Sequence, residues 1–147
     1  MLTEPLGRCR LRVSKLALGT VQFGMDYGLT KAKTQAEVDA ILDAAQEAGV
    51  NLLDTAPAYG DSEKKVGDYL RRRPGHTFLV ATKAAALTPL DLEQPGGIAG
   101  RLRASLEKSH AAMGPDAIAV FQLHQCEPWL IGDDRLWEGV EELRRGG

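Results

Sequence analysis

The stretch VNLLDTAPAYGDSE, residues 50–63, decides how the fold is interpreted. It opens with a short apolar run that ends at Asp54, continues through a loop containing proline and glycine, and reaches a helix that Asp61 or Ser62 can cap. A buried strand that leads through a polar loop into a helix is the repeating unit of an α/β protein. The stretch therefore predicts a parallel sheet with helices packed outside it.

The same unit recurs on both sides of this stretch. Strands are predicted at residues 16–18, 50–53, 78–81 and 117–123, and helices between residues 34 and 49, 61 and 73, 98 and 113, and 134 and 145. Two architectures fit this alternation, a doubly wound open sheet and a (β/α)8 barrel. The first loop holds Gly19, Gly24 and Gly28 without the spacing of a dinucleotide-binding or Walker loop, which counts against the nucleotide-binding open sheets.

The composition excludes several classes of function. Eighteen Lys and Arg against twenty Asp and Glu leave a net charge of -2, which argues against nucleic acid or an anionic membrane as a partner. No apolar run reaches the roughly 18 residues that span a bilayer, so we expect a cytoplasmic protein. Cys9 and Cys126 lie far apart, so no disulfide scaffold is predicted. The histidines show no ligand spacing, so no metal site is predicted.

Four ionisable side chains follow the predicted strands at the points where the strands end. Asp54 ends one strand, with Tyr59 in the loop behind it, and Lys83 and His124 end the next two strands. Because the carboxyl ends of parallel strands meet on one face, we expect the four side chains to lie close together. Each alone has a plain structural explanation: a loop cap, a core aromatic, a solvated lysine or a buried imidazole. Their shared placement favours a catalytic site.

The segments around these residues carry a family resemblance. Residues 54–63, with Leu18-Gly19-Thr20 and Phe23-Gly24 upstream and Ala81-Thr82-Lys83 and Gln122-Leu123-His124 downstream, resemble the aldo-keto reductase superfamily. The match runs through nearly the whole chain in the family's order and spacing. Residues 54–63 are quite specific, whereas Thr-Lys or Leu-His alone would be a weak signal.

The resemblance implies a reaction and a set of site residues. The reaction is the reversible reduction of an aldehyde or ketone by NADPH, less often NADH, so the expected partner is a small-molecule carbonyl substrate. The family's catalytic tetrad maps onto Asp54, Tyr59, Lys83 and His124. The nicotinamide end of the cofactor site maps onto Gly19, Thr20 and Asp54. Residues 19–28 are similar to a bacterial branch of the family associated with sugar-related or unassigned carbonyl substrates.

The chemistry of the four side chains suits this reaction without reference to a family. Hydride delivered to a carbonyl carbon leaves negative charge on oxygen, which an acid must neutralise. A free phenol has a pKa of about 10 and is a weak acid at neutral pH. A cationic Lys83 beside Tyr59 would favour the phenolate and strengthen that acid. Asp54 would hold the ammonium in place, and His124 would donate a hydrogen bond to the carbonyl.

The resemblance also implies a (β/α)8 barrel closed at its base by an N-terminal hairpin. Residues 8–18 match that hairpin, with a predicted turn at Ser14-Lys15 before a strand that ends at Gly19. Such a barrel takes about 250 residues. The 147 residues here hold the hairpin and about four βα units, so we expect the N-terminal part of a single barrel domain, truncated or a half-barrel. The second half would supply most of the cofactor site. Two such halves could also pair as a homodimer.

Two other functions stay open from the sequence alone. One is a non-catalytic relative or remnant that binds a partner through its surface. The other is a barrel lyase or aldolase in which Lys83 forms a Schiff base.

Overall fold

The computed structural model describes residues 1–94, 96–125 and 127–146. Cys126, for which the sequence predicts no disulfide, lies outside the described residues. The strands are β1 (Thr3–Pro5), β2 (Arg12–Ser14), β3 (Ala17–Gly19), β4 (Leu52–Asp54), β5 (Leu79–Lys83) and β6 (Ile118–Gln122). The helices are α1 (Val21–Gly24), α2 (Gln35–Glu47), α3 (Ser62–Arg72), α4 (Gly97–Met113), α5 (Pro128–Ile131) and α6 (Asp134–Gly146). Short 3-10 turns occupy Pro89–Leu92 and Pro115–Ala117.

Four of the strands form one parallel sheet in the order β3-β4-β5-β6. A helix follows each strand before the next one begins, so the predicted α/β class and the four βα units are confirmed. Gly19 lies opposite Asp54, and Asp54 lies opposite Ala81. This register aligns the carboxyl ends of the strands along one edge of the sheet.

The N-terminal hairpin exists, but its predicted boundaries are wrong. β1 pairs antiparallel with β2, and the connection runs through residues 6–11 instead of turning at Ser14-Lys15. Asn51 explains the difference, because its side chain accepts a hydrogen bond from the Ser14 amide (2.6 Å) and its own amide donates to the Ser14 hydroxyl (3.0 Å). These bonds attach β2 to the residue just before β4. The hairpin therefore contacts the amino-terminal ends of the parallel strands, opposite the predicted site.

The helix signals in the sequence are confirmed at α2. The Thr34 side chain accepts from the Glu37 amide, and the Glu37 carboxylate accepts from the Thr34 amide, which together make the predicted capping box. Gly49 follows the end of α2 with a φ of 77°, a left-handed conformation that suits glycine after a helix.

Two apolar clusters hold the helices on the sheet. The first joins α2 and α3 to β4 and β5 and includes Val38, Leu42, Leu53, Val66, Tyr69 and Val80. The second joins α4, α5 and α6 near the end of β5 and includes Ala84, Ile98, Leu102, Leu130 and Leu136. Burial of these side chains supplies most of the favourable free energy that packs the helices against the sheet.

Within the described ranges, none of the helices has the length and apolar content needed to cross a bilayer. The same residues contain no cluster of three or more His, Cys, Asp or Glu side chains arranged to hold a metal ion. The cytoplasmic location stays a prediction.

Candidate active site

A lysine and an aspartate from neighbouring strands form the centre of the predicted site. Asp54 ends β4 and Lys83 ends β5. The Lys83 ammonium donates to Asp54 Oδ1 over 2.7 Å and to the Thr55 carbonyl oxygen over 3.0 Å. The side chain of Lys83 is 15% exposed and that of Asp54 is 39% exposed. The ammonium group is thus held in one place by two acceptors while its surroundings stay open to solvent on one side.

Tyr59 and His124 lie against this pair. The Tyr59 ring centroid is 5.1 Å from the Lys83 ammonium nitrogen. The imidazole of His124, two residues beyond β6, meets the Tyr59 ring edge-on, with ring centroids 5.9 Å apart and planes at 85°. The structure therefore brings together all four predicted catalytic residues, from three strand ends and one loop.

The loop that carries Tyr59 rests directly on the short helix α1. A Cβ built on Gly24 would collide with the Tyr59 carbonyl oxygen and the Ser62 amide. Gly60 has a φ of 61°, and a Cβ there would collide with the Gly24 carbonyl oxygen. The two glycines thus allow the backbone of α1 to contact the backbone of the Tyr59 loop, and this contact fixes the position of Tyr59 relative to the sheet.

A group of buried hydroxyls holds the backbone beneath the site. The amide and the hydroxyl of Thr20 each donate to the Asp54 carbonyl oxygen over 3.0 Å. The Ser62 hydroxyl lies 2.9 Å from the Thr20 carbonyl oxygen and 2.8 Å from its hydroxyl, and Thr55 approaches it at 3.2 Å. All of these side chains except that of Asp54 are fully buried. The group joins the ends of β3 and β4 to the start of α3.

Of the residues predicted to line a cofactor, Gly19 and Thr20 have different surroundings. Gly19 is exposed at the end of β3 beside Asp54, and a Cβ built there meets no described atom within 4 Å. The Thr20 side chain is 0% exposed and already hydrogen-bonded within the protein. Contact of Thr20 with a cofactor stays a prediction. In the structure, the Thr20 hydroxyl donates a hydrogen bond to the Asp54 carbonyl oxygen and so helps to position Asp54.

Glu63 has a supporting role that sequence reasoning missed. Its buried carboxylate accepts a hydrogen bond from the Thr82 hydroxyl at 2.6 Å and from the Ser109 hydroxyl at 2.8 Å. Thr82 precedes Lys83 on β5, so the carboxylate anchors that strand end to α3 and α4. A charged residue in the first turn of a helix ordinarily indicates a solvated dipole partner. The burial of Glu63 is evident only from its contacts with the hydroxyls of Thr82 and Ser109, which lie on distant segments of the chain.

The buried tyrosine of α3 differs from Tyr59. The Tyr69 hydroxyl donates to Asp43 Oδ1 at 2.9 Å, and burial together with that carboxylate raises the pKa of Tyr69 to about 12. Tyr69 is therefore held neutral inside the first apolar cluster. Tyr59 instead lies half-buried beside a cation.

Comparisons with known proteins agree with this geometry. The sequence profile of the Aldo/keto reductase family matches residues 15–147. A D-threo-aldose 1-dehydrogenase from a Pseudomonas species is 32% identical over 148 aligned residues, which cover 85% of this chain and 44% of that protein. An NADH-specific methylglyoxal reductase from Escherichia coli is 38% identical over 82 residues, which cover 54% of this chain and 25% of that protein.

A solved structure gives the same result at the level of the fold. A Pseudomonas aeruginosa protein described as an aldo-keto reductase superposes with a TM-score of 0.80 at 32% identity, over 99% of this chain and 57% of that one. The chain belongs to the aldo/keto reductase family, as its sequence motifs predict. It spans about half the length of the relatives that it matches.

Proposed function

We propose that this chain supplies the proton-transfer side of an NAD(P)H-dependent reduction of an aldehyde or ketone, and that it is the N-terminal part of one barrel domain. One observation carries the proposal. The Lys83 ammonium is held by Asp54 and by the Thr55 carbonyl, and it lies 5.1 Å from the Tyr59 ring. A fixed cation beside a tyrosine ring at the strand ends supports Tyr59 as the proton donor.

Tyr59 is the proposed proton donor. A carbonyl that accepts hydride develops negative charge on its oxygen, and a proton must reach that oxygen in the same step. The phenolate that Tyr59 leaves behind is stabilised by the adjacent Lys83 cation. Asp54 and the Thr55 carbonyl hold the Lys83 nitrogen in place and keep it from turning toward solvent.

His124 is the proposed hydrogen-bond donor to the substrate carbonyl. Its imidazole lies edge-on to the Tyr59 ring with ring centroids 5.9 Å apart, which is close enough for both side chains to contact one small substrate. Two donors aimed at one oxygen stabilise the developing charge better than one. They also fix the carbonyl plane relative to the open side of the sheet.

The exposed strand ends fit the reacting end of a nicotinamide cofactor. Gly19 offers a flat surface without a side chain next to Asp54, which suits an aromatic ring lying across the edge of the sheet. When bound, the cofactor supplies the hydride. We propose NADPH, with NADH as the alternative that one relative's name supports. Lys83, Asp54 and Tyr59 keep their proton-transfer arrangement in either case.

The geometry favours this function over Schiff-base chemistry. An amine that attacks a carbonyl must be neutral and free of strong acceptors. The Lys83 nitrogen instead donates to a carboxylate at 2.7 Å and to a carbonyl at 3.0 Å. Both contacts hold the Lys83 nitrogen as a hydrogen-bond donor to protein groups.

Turnover of nicotinamide cofactor tests the proposal. The chain itself, and its fusion to the part of the Pseudomonas aeruginosa relative that lies beyond the match, are assayed in both directions with aldoses, methylglyoxal and simple ketones. Tyr59→Phe should lower carbonyl reduction by on the order of 100- to 10,000-fold and leave cofactor affinity nearly unchanged, because it removes only the acid.

Tyr27→Phe is the matched control, since Tyr27 is an exposed tyrosine of the loop after α1. It should keep full turnover. A folded, cofactor-binding protein whose turnover is the same with and without the Tyr59 hydroxyl contradicts the proposal. A folded fusion that binds cofactor without any turnover favours the non-catalytic, partner-binding alternative.

A further inference from the structure

We propose that Glu63 is the positioning residue of Lys83 and acts through the hydroxyl of Thr82, an inference that rests on the proposed function. Glu63 lies in the first turn of α3, and its Oε1 accepts a hydrogen bond from the Thr82 hydroxyl at 2.6 Å. Thr82 directly precedes Lys83 in β5. These contacts lie inside the described sheet, because β5 has β4 on one side and β6 on the other.

Thr82 and Lys83 extend from opposite faces of β5, since successive side chains of a strand alternate. The Thr82 side chain is fully buried and meets Glu63 on the helix side, whereas the Lys83 nitrogen reaches Asp54 at 2.7 Å on the other side. Lysine has a flexible four-carbon stem, so the place of its nitrogen depends on the backbone from which the stem starts. A hydrogen bond that holds Thr82 therefore also fixes the starting point of the Lys83 side chain.

Glu63, Thr82 and Ser109 form a buried polar cluster among apolar side chains. Val66 lies three residues after Glu63 on α3 and Val80 two residues before Thr82 on β5, and both belong to the first apolar cluster. Burying a carboxylate is costly unless it is hydrogen-bonded, and apolar side chains of similar volume would avoid that cost. The polar cluster adds direction, because one oxygen of Glu63 accepts both hydroxyls, at 2.6 Å and 2.8 Å. The end of β5 and α4 are thus aligned on a single atom.

The residue before Glu63 makes the same kind of contact with the other strand ends. The Ser62 hydroxyl lies 2.9 Å from the carbonyl oxygen of Thr20, which follows β3, and 3.2 Å from the hydroxyl of Thr55, which follows β4. The loop that carries Tyr59 leads directly into this turn. The first turn of α3 therefore sets the Tyr59 loop and the end of β5 relative to one another.

Exchange of lysine Nζ protons with water tests the proposal without any need for turnover. Nitrogen-15 NMR of the full 147-residue chain follows Lys83 and Lys65, each assigned by replacing that lysine with methionine. Lys65 is the internal control, because its side chain is also 15% exposed and its nitrogen donates to the carbonyl oxygens of Phe23 and Lys33. Glu63→Met should accelerate exchange at Lys83 by about 3- to 10-fold and leave Lys65 unchanged, although Lys65 is the closer in sequence.

Three further variants separate positioning from a general loss of stability. Glu63→Gln keeps an acceptor oxygen at the same reach and should restore slow exchange at Lys83. Thr82→Val removes the hydroxyl and should repeat the effect of Glu63→Met, so it decides the question if Glu63→Met does not fold. Asp91→Leu is the matched control, since Asp91 is 7% exposed like Glu63 and accepts from the Thr88 hydroxyl in the 3-10 turn before α4. It should leave exchange at Lys83 unchanged.

Two results of the exchange experiment overturn the proposal. One is equal acceleration at Lys83 and Lys65, which indicates that α3 has loosened as a whole. The other is unchanged exchange at Lys83 in both Glu63→Met and Thr82→Val.

A double-mutant cycle on kcat separates this inference from the proposed function. In the fusion to the Pseudomonas aeruginosa relative, Glu63→Met should lower kcat by on the order of 10-fold and leave cofactor affinity nearly unchanged. The same change made in Lys83→Met should have no further effect, because Glu63 acts through that lysine. Equal losses in the two backgrounds overturn the positioning role. Full turnover by Tyr59→Phe contradicts the proposed function instead, and the exchange at Lys83 then decides the role of Glu63.

Discussion

At the scale of single residues, the surroundings of Lys83 account for its proposed role. Its nitrogen is fixed by Asp54 and by a backbone carbonyl, so its charge stays near Tyr59. In the proposed reaction, Lys83 acts on the substrate through Tyr59.

Lys83→Met should depress turnover and move its dependence on pH. We expect a fall of on the order of 10- to 1000-fold near neutral pH, because the phenol loses the neighbouring cation. Lys64→Met is the control, since Lys64 is an exposed lysine that pairs with Asp68 on α3. It should leave both rate and profile unchanged. An unaltered pH profile in Lys83→Met would remove the lysine from the tuning role.

His76 makes stability depend on pH. Burial lowers the pKa of His76 below its ordinary value of 6.5, its ring stacks on Phe78, and its Nδ1 has no hydrogen-bond partner among the described residues. The native state favours the neutral ring, while the unfolded chain takes up a proton near pH 6.5. The stability of the native state is therefore full above that pH and declines as the pH falls below it.

We expect His76→Gln to flatten this decline between about pH 7 and pH 5. The slope that a single group contributes cannot exceed about 1.4 kcal/mol per pH unit. Denaturant unfolding at several pH values measures it. His110→Gln on α4 is the control and should keep the wild-type slope. Equal slopes in wild type and His76→Gln would contradict this assignment.

The candidate catalytic residues were predictable from the sequence, but the buried residues that hold them in place were not. Asp54, Lys83 and His124 follow apolar runs, so strand ends alone place them on one face. Ser62 and Glu63 act by meeting residues from distant segments, such as Thr20 and Ser109. Such contacts depend on how helices sit on the sheet, which no local pattern specifies.

At the scale of elements, the contact between α1 and the Tyr59 loop is the tightest backbone approach near the site. Gly24→Ala should destabilise the protein by about 1–3 kcal/mol, because the added methyl group collides with backbone and not with a flexible side chain. It should also lower turnover, since Tyr59 moves with its loop. Thermal unfolding and the reductase assay measure the two effects.

Gly75→Ala is the control for this prediction. Gly75 lies between α3 and β5, where a Cβ has no described atom within 4 Å and φ is not positive. It should change neither stability nor turnover appreciably. Equal stability of Gly24→Ala and Gly75→Ala would contradict the close approach.

Elements with strong periodic signals were predicted well, and short ones were not. The capping box of α2 and the apolar spacing of α4 each define a helix within one or two residues. The three residues of β1 are two polar residues and a proline, so the strand shows no alternation of polar and apolar residues. α5 is one turn long, and a single turn has no periodicity to detect.

At the scale of the whole molecule, helices pack closely against the middle of the sheet, while its two outer strands each have an unpaired edge within the described residues. Gly67 lets α3 approach the end of α4, and Gly139 lets α6 approach Ala99 of α4. The helices thus form a close layer behind β4 and β5, while the outer edges of β3 and β6 stay unpaired throughout the described part of the chain. The layer positions the strand ends that carry the four site residues.

In the proposed reaction, hydride and proton reach one carbonyl at the face that bears Tyr59 and Lys83. Incubation with cofactor deuterated at its transferable position, followed by mass spectrometry of the alcohol, follows both atoms in one experiment. We expect one deuterium on the former carbonyl carbon, and almost none of this product with Tyr59→Phe. Alcohol formed without deuterium, or formed equally well by Tyr59→Phe, would contradict it.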